Sequence, residues 1–253
     1  MALGIHEQRR YTSVLVCHDD LRDFLALRKL LAGSVGSHRS VRLPETEWSI
    51  HRFEYLANRS LYPGHIVSAE DRRRGDRYAH DVYFATREPL RSLNTPVILL
   101  ASPYVRLLSS ITSDLRKKLD HPAPRYVSVD MASVYQTLSD GSVGELTATK
   151  VTMQMLSEPT LELVSLAGRN PLHSELHAAI KKVAAPYSIR TEVSGENSKC
   201  RVNIDRHGNF WWFQAEEKRF ALPLNVIDRL DETGSLKLTR TRPLDRAEDE
   251  DDE

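Results

Sequence analysis

Between Lys199 and Ala215 the chain contains a strand, a four-residue turn and a second strand, and this hairpin constrains everything around it. Arg206-His207-Gly208-Asn209 separates Lys199–Asp205 from Phe210–Ala215. A glycine in so short a connection supplies the positive φ that a tight hairpin needs. Side chains alternate along a strand, so Phe210 and Trp212 fall on one face and Trp211 and Phe213 on the other. Both faces of the second strand are therefore apolar. Either the strand is central and packed on both sides, the default, or half of it meets a partner. Tryptophan is enriched at the energetic centres of protein interfaces, which makes Trp211 and Phe213 the candidate interface residues. Aromatic rings beside Lys199, Arg201 and Arg206 also form a stacking surface for unpaired bases, so these three cations are candidate nucleic-acid contacts.

The flanking segments extend the hairpin into a larger unit. A helix over 171–185 begins at Asn170-Pro171 and is stopped by Pro186; strand Ser188–Val193 follows. After the hairpin, Pro223 stands near the start of a helix carrying Leu224, Val226, Ile227 and Leu230. Gly234 ends that helix, and Leu236–Thr239 reads as a strand. The predicted order is α-β-β-β-α-β.

Upstream, Tyr11–Cys17 is rich in β-branched residues and reads as a strand. Asp19 or Asp20 then caps a helix that carries Leu21, Phe24, Leu25, Leu27, Leu30 and Leu31 and ends at Gly33. Strands are predicted at 40–43, 48–55, 81–86, 126–129, 145–156 and 161–166. Thr95–Ala101 is a continuous apolar strand of the kind buried on both faces. Ser102-Pro103 supplies the N-cap and N1 of a helix over 103–119, closed by Arg116-Lys117-Lys118. These elements predict an α/β fold, with α+β the alternative, built from mixed β-sheets with packed helices. The expected organisation is an N-terminal domain at 1–140, a C-terminal domain at 145–244 and a disordered acidic tail at 245–253.

Composition narrows the class further. The 253 residues are 40% hydrophobic and 28% charged, ordinary values for a globular protein. The longest apolar run, Pro96–Ala101, falls far short of the ~20 residues of a membrane span. No apolar segment follows the charged N-terminus, so no signal peptide is expected. Cys17 and Cys200 match neither a metal-ligand spacing nor a disulfide framework, and a cytoplasmic location is expected. The 35 basic and 35 acidic residues cancel, but not evenly. Residues 245–253 hold seven acids and one base, which leaves 34 basic and 28 acidic residues in the body, about +6. The tail is either a solubilising end or an electrostatic gate over a basic face.

Four other clusters carry candidate chemistry. Arg72, Arg73, Arg74 and Arg77 sit in a charged loop at 58–79 and suit phosphate contact. Glu70, Asp71 and Asp76 flank them, and self-neutralisation is the default. His173 and His177 share a helix face at i, i+4, as a metal site needs, but no third ligand is indicated and a solvated face is preferred. His18-Asp19-Asp20 follows a strand, where α/β proteins often hold ligands, and is also a plain acidic cap, the preferred reading. Glu216-Glu217-Lys218 stands at the end of the hairpin's second strand.

In its α-β-β-β-α-β setting, the Glu216-x-Lys218 element resembles the core of the PD-(D/E)XK nuclease families. That resemblance implies carboxylates holding Mg²⁺ and a lysine assisting the attacking water, with Glu196 or Glu192 as the second acid. Asp205 is unsuited, because in the hairpin it lies ~20 Å from Glu216 at the rise of a strand. The motif's Pro-Asp half is missing.

Without a catalytic motif elsewhere, the leading expectation is a non-enzymatic interaction subunit of a larger cytosolic assembly, nucleic-acid-associated through its basic clusters. It would bind a partner protein or a second copy of itself, with DNA or RNA as a further ligand and no membrane. The alternative is a metal-dependent nuclease using Glu196, Glu216 and Lys218. No cofactor is expected outside that alternative, which requires Mg²⁺.

Overall fold

The computed structural model describes residues 9–43, 46–57, 78–87, 89–119, 122–141, 146–156, 163–194, 199–214 and 220–240. Chain contacts divide it into two units. One takes Tyr11–Pro89, Thr95–Tyr126 and Arg240–Glu253; the other takes Met1–Arg10, Leu90–Asn94 and Val127–Thr239. Both mix strands with helices, and every strand pair with a defined register is antiparallel. No helix of the described residues is long and apolar enough to cross a membrane.

The N-terminal unit is built on β1 (Arg9–Cys17), β2 (Val35–Val41), β3 (Ser49–Ala57), β4 (Tyr78–Arg87) and β5 (Val97–Ser102). They pair in the order β2-β3-β4-β5-β1. Helix α1 covers Phe24–Leu30 and α2 covers Val105–Lys118. Leu107, Leu108, Ile111 and Leu115 of α2 are fully buried in one cluster with Val14, Val16, Phe84, Ile98 and Leu100. Burying each such side chain is worth about 1.5–3 kcal/mol, which is why this amphipathic stripe holds the helix on the sheet. All six residues of β5 are buried, as a continuous apolar run requires.

Two helix starts differ from expectation. α1 is capped by Asp23, whose Oδ1 accepts from the Ala26 amide at 2.8 Å, and not by Asp19 or Asp20. His18 explains the shift: its Nδ1 accepts the Asp20 amide at 3.0 Å, and Leu21 N donates to His18 O. The chain thus makes a turn before it can enter the helix. α2 begins after Tyr104, because β5 runs on through Ser102. The Ser102 hydroxyl still accepts the Tyr104 amide, at 3.2 Å, as a turn rather than a cap.

The C-terminal unit has helix α3 (Met131–Ser139), β7 (Leu146–Met155), β8 (Leu163–Ala167), a 3₁₀ turn (Pro171–His173), α4 (Glu175–Ile180), β9 (Ala184–Ser194), β10 (Lys199–Asp205), β11 (Asn209–Gln214), α5 (Ala221–Glu232) and β12 (Leu236–Thr239). β6 (Arg125–Val129) pairs with β12. From α4 onward the order is α-β-β-β-α-β. The sheet runs β11-β10-β9-β7-β8. Helices α3 and α5 pack on β9 and β10, and buried Ile189, Thr191, Val202, Ile204, Phe210 and Trp212 share the alternation of that covered face.

The predicted helix over 171–185 is broken. Ser174 ends the 3₁₀ turn and caps α4, its Oγ accepting from His177 N at 3.1 Å. Pro186 stops no helix; it lies within β9 opposite Met153, at a register shift. An irregular ladder position tolerates a residue without an N–H. Helix α3 was not foreseen. Asp130 caps it, and Val134 and Tyr135 face inward.

Candidate docking surface on the C-terminal sheet

The tight turn comes first, since it sets the register of everything on β10 and β11. Asp205, 7% exposed, accepts the His207 and Asn209 amides on Oδ1 at 2.9 and 3.0 Å and Asn209 Nδ2 on Oδ2 at 2.8 Å. Gly208 has φ +85°, and a Cβ there would fall 1.8 Å from the carbonyl oxygen of Val127. This pins the pairing Val202↔Trp212, Asn203↔Trp211 and Ile204↔Phe210.

Alternation then separates the four aromatics. Phe210 and Trp212 are wholly buried, and the Trp212 ring meets Phe220 edge-on at 5.4 Å. Trp211 is half-buried beneath the Arg10 guanidinium, 5.7 Å from its ring centroid, and Phe213 is 54% exposed. The strand therefore has one core face and one open face.

Beside the open aromatics lie cations. Lys199 and Arg201, 69% and 65% exposed, both reach Glu192 on β9: Lys199 Nζ donates to Oε1 at 2.9 Å and Arg201 Nε to Oε2 at 3.2 Å. These partners, Lys199 foremost, hold the Glu192 carboxyl below its ordinary pKa. Arg190 Nε donates to Asn203 Oδ1 at 2.8 Å. Lys150, Arg169, Arg190, Glu192 and Arg201, with Thr147 and Thr149, line a shallow open depression of about 610 Å³. Among its described lining residues four are cations and one is an acid.

The structure thus brings Lys199, Arg201, Trp211 and Phe213 onto one surface. It puts Arg206 elsewhere, at the turn, 4.9 Å over the Tyr187 ring and 2.7 Å from Gln154 Oε1. Lys150, Arg169 and Arg190 escaped the sequence reading because they come from β7, the segment after β8 and β9. Only the sheet order places them together. Arg72, Arg73, Arg74, Arg77, Glu196, Glu216 and Lys218 lie outside the described residues, as does the tail.

The other sequence candidates have structural employment. Both oxygens of Asp205 serve the turn, and Glu192 is held by two cations. His173 is exposed on the 3₁₀ turn while His177 is buried on α4, so they do not share a helix face. Among the described residues no cluster of three His, Cys, Asp or Glu suited to a metal occurs. His18 is 5% exposed and donates from Nε2 to Pro122 O at 2.8 Å, fixing its tautomer. Burial pushes the Cys17 thiol up to about 12, so it stays protonated and unreactive.

A second open cleft lies in the N-terminal unit, lined by Asp23, Phe24, Glu47, His51 and Arg87. Phe24 stacks on His51 at 4.7 Å and an interplanar angle of 12°, with His38 at 4.8 Å. Arg87 pairs with Glu47 at 2.6 Å. Burial, then the neighbouring His38, lowers the His51 pKa.

The chain matches no protein-family model and no curated protein.

Proposed function

We propose that this protein is a non-enzymatic interaction subunit of a larger cytosolic assembly, and that it works through the open face of its C-terminal sheet. The observation that carries the reading is the split of one strand. Phe210 and Trp212 fill the core, while Phe213 stands more than half exposed among Lys199, Arg201 and the Arg10–Trp211 pair. A phenylalanine left in water beside desolvatable cations gains nothing for folding. It gains apolar burial, up to about 2–3 kcal/mol, once something covers it. The carboxylates on the same strands are committed to the turn and to ion pairs, which supports binding over cleavage.

A photo-crosslinking side chain placed at position 213 tests this in cells. Adducts at 213 that vanish when Lys199 and Arg201 are both replaced by Glu are expected. A control at Leu25, 63% exposed in the other unit, should give none. Equal labelling at both positions, or none at 213, would remove the surface from consideration.

A further inference from the structure

We propose that the ligand of this face is a single-stranded nucleic acid, an inference that rests on the docking reading above. Three features converge on that chemistry. The depression is cationic, with Lys150, Arg169, Arg190 and Arg201 against Glu192, and Lys199 extends the charge along β10. Lys150, Arg190 and Arg201 come from the neighbouring strands β7, β9 and β10, about 4.8 Å apart, with Arg169 just beyond β8, so the charge forms a band across the sheet and not a single spot. A band suits a polyanion, whose every phosphate gains from a nearby cation and releases condensed counterions.

The second feature is the exposed Phe213 ring at the edge of that band. A π-face next to cations fits an unpaired base, since every base has one and stacking tolerates any sequence. A duplex keeps its base faces inside the stack and offers the ring nothing. An acidic peptide satisfies the cations but leaves the ring uncovered. The third feature is Arg10 over Trp211. A guanidinium held 5.7 Å from an indole centroid puts a cation and a ring side by side, and both Arg planes and aromatic rings stack on bases. Thr147 among the lining residues adds a hydroxyl of the kind that phosphate oxygens accept from, whereas the Thr149 hydroxyl donates to Arg190 O at 3.2 Å.

Glu192 sits in the middle of the band and is paired with Lys199 and Arg201. Phosphate must therefore compete with one carboxylate for two cations. The expected consequence is moderate affinity that weakens steeply with salt.

The experiment is fluorescence anisotropy on the full chain with labelled oligothymidine and oligouridine of about twelve nucleotides, a length within the range one such module covers. A duplex of equal length and a polyglutamate peptide are the comparisons. Single strands should bind at least about tenfold more tightly than duplex, and Phe213→Ala should weaken them about tenfold, the loss expected for one stacked base. Arg201→Ala should lower the slope of log affinity against log salt by about 0.7. Circular dichroism on both variants should be unchanged, because both side chains are exposed. Duplex binding as tight as single strand, no effect of Phe213→Ala, or displacement of the oligonucleotide by polyglutamate at equal charge would each overturn the inference. Protein adducts at position 213 without oligonucleotide binding would leave the docking surface standing and reject its nucleic-acid ligand. No adduct of any kind at 213 would reject both.

Discussion

The carboxylate of Asp231 accepts both the amide and the hydroxyl of Ser92, at 2.8 and 2.5 Å, across 139 positions of sequence. It also accepts the Arg91 amide at 2.8 Å, and Asp231 is only 4% exposed. One side chain thus satisfies two backbone donors of the Leu90–Asn94 segment from the last turn of α5. Asp231→Ala would leave those part-buried donors without this partner, a loss of about 1–3 kcal/mol. Asp231→Asn should not rescue it, since its amide turns a donor toward a donor. Urea denaturation of the two variants checks this.

The alternation of β11 predicts opposite outcomes for adjacent residues. Trp212→Ala should cost about 3–5 kcal/mol, the cavity cost of a fully buried aromatic. Phe213→Ala should stay within about 0.5 kcal/mol, as exposed substitutions do. Parallel thermal melts distinguish them, and equal losses would mean that the open face is packed.

Two glycines with positive φ should differ as sharply. Gly33 has φ +80° and open space around it, so Gly33→Ala should cost only the left-handed backbone penalty, about 1–2 kcal/mol. Gly208→Ala adds a clash with the Val127 carbonyl oxygen and should fail to give soluble folded protein, or melt far lower. Expression yield and melting temperature report both.

The histidines set an acid limb. His51 is held below its ordinary pKa by burial first and by His38 second, with Asp23 opposing. Burial likewise lowers His177. The unfolded chain therefore binds more protons than the folded one near and below the ordinary histidine pKa of about 6.5. Stability is complete above that pH and is lost as pH falls from it through the lowered folded-state values. His51→Phe keeps a ring against Phe24 and removes one of the two groups. Urea midpoints measured across this range should show a shallower decline for the variant than for the parent.

Removing residues 245–253 takes away seven acids and one base. If the tail gates a basic face, the truncated chain should bind oligonucleotides more tightly at low salt, and the difference should fade as salt shortens the Debye length. Identical salt titrations would make the tail a solubilising segment only.

Local chemistry made much of the C-terminal unit legible. The turn residues, the alternating aromatics, the apolar stripe of α5 and the stop at Gly234 are each decided within a few residues of themselves. Helix α3 is hard to read from sequence although Asp130 caps it, because Met131–Ser139 is short and Ser133, Gln136 and Thr137 flank Val134 and Tyr135 with polar side chains. Its inward face becomes visible only against β7 and β9, where the Tyr135 hydroxyl donates to Thr152 O and Ser188 O. Pro186 misled for a related reason: proline's usual meaning is a helix stop, but a register shift in β9 gave it a place in a strand. The strand expected at 161–166 is found at Leu163–Ala167, at the end of the sheet, where Leu163 is 39% exposed.

The hairpin shows where the boundary lies. The sequence by itself determined that Phe210 and Trp212 oppose Trp211 and Phe213, because a strand has a period of two and Gly208 fixes where it starts. Which pair would be buried was not written there. That depended on α5 and Phe220 covering one face, and on β7 and β9 bringing Lys150, Arg190 and Glu192 to the other. Burial is a property of what packs against a residue, and Lys150 lies more than sixty positions from Trp211.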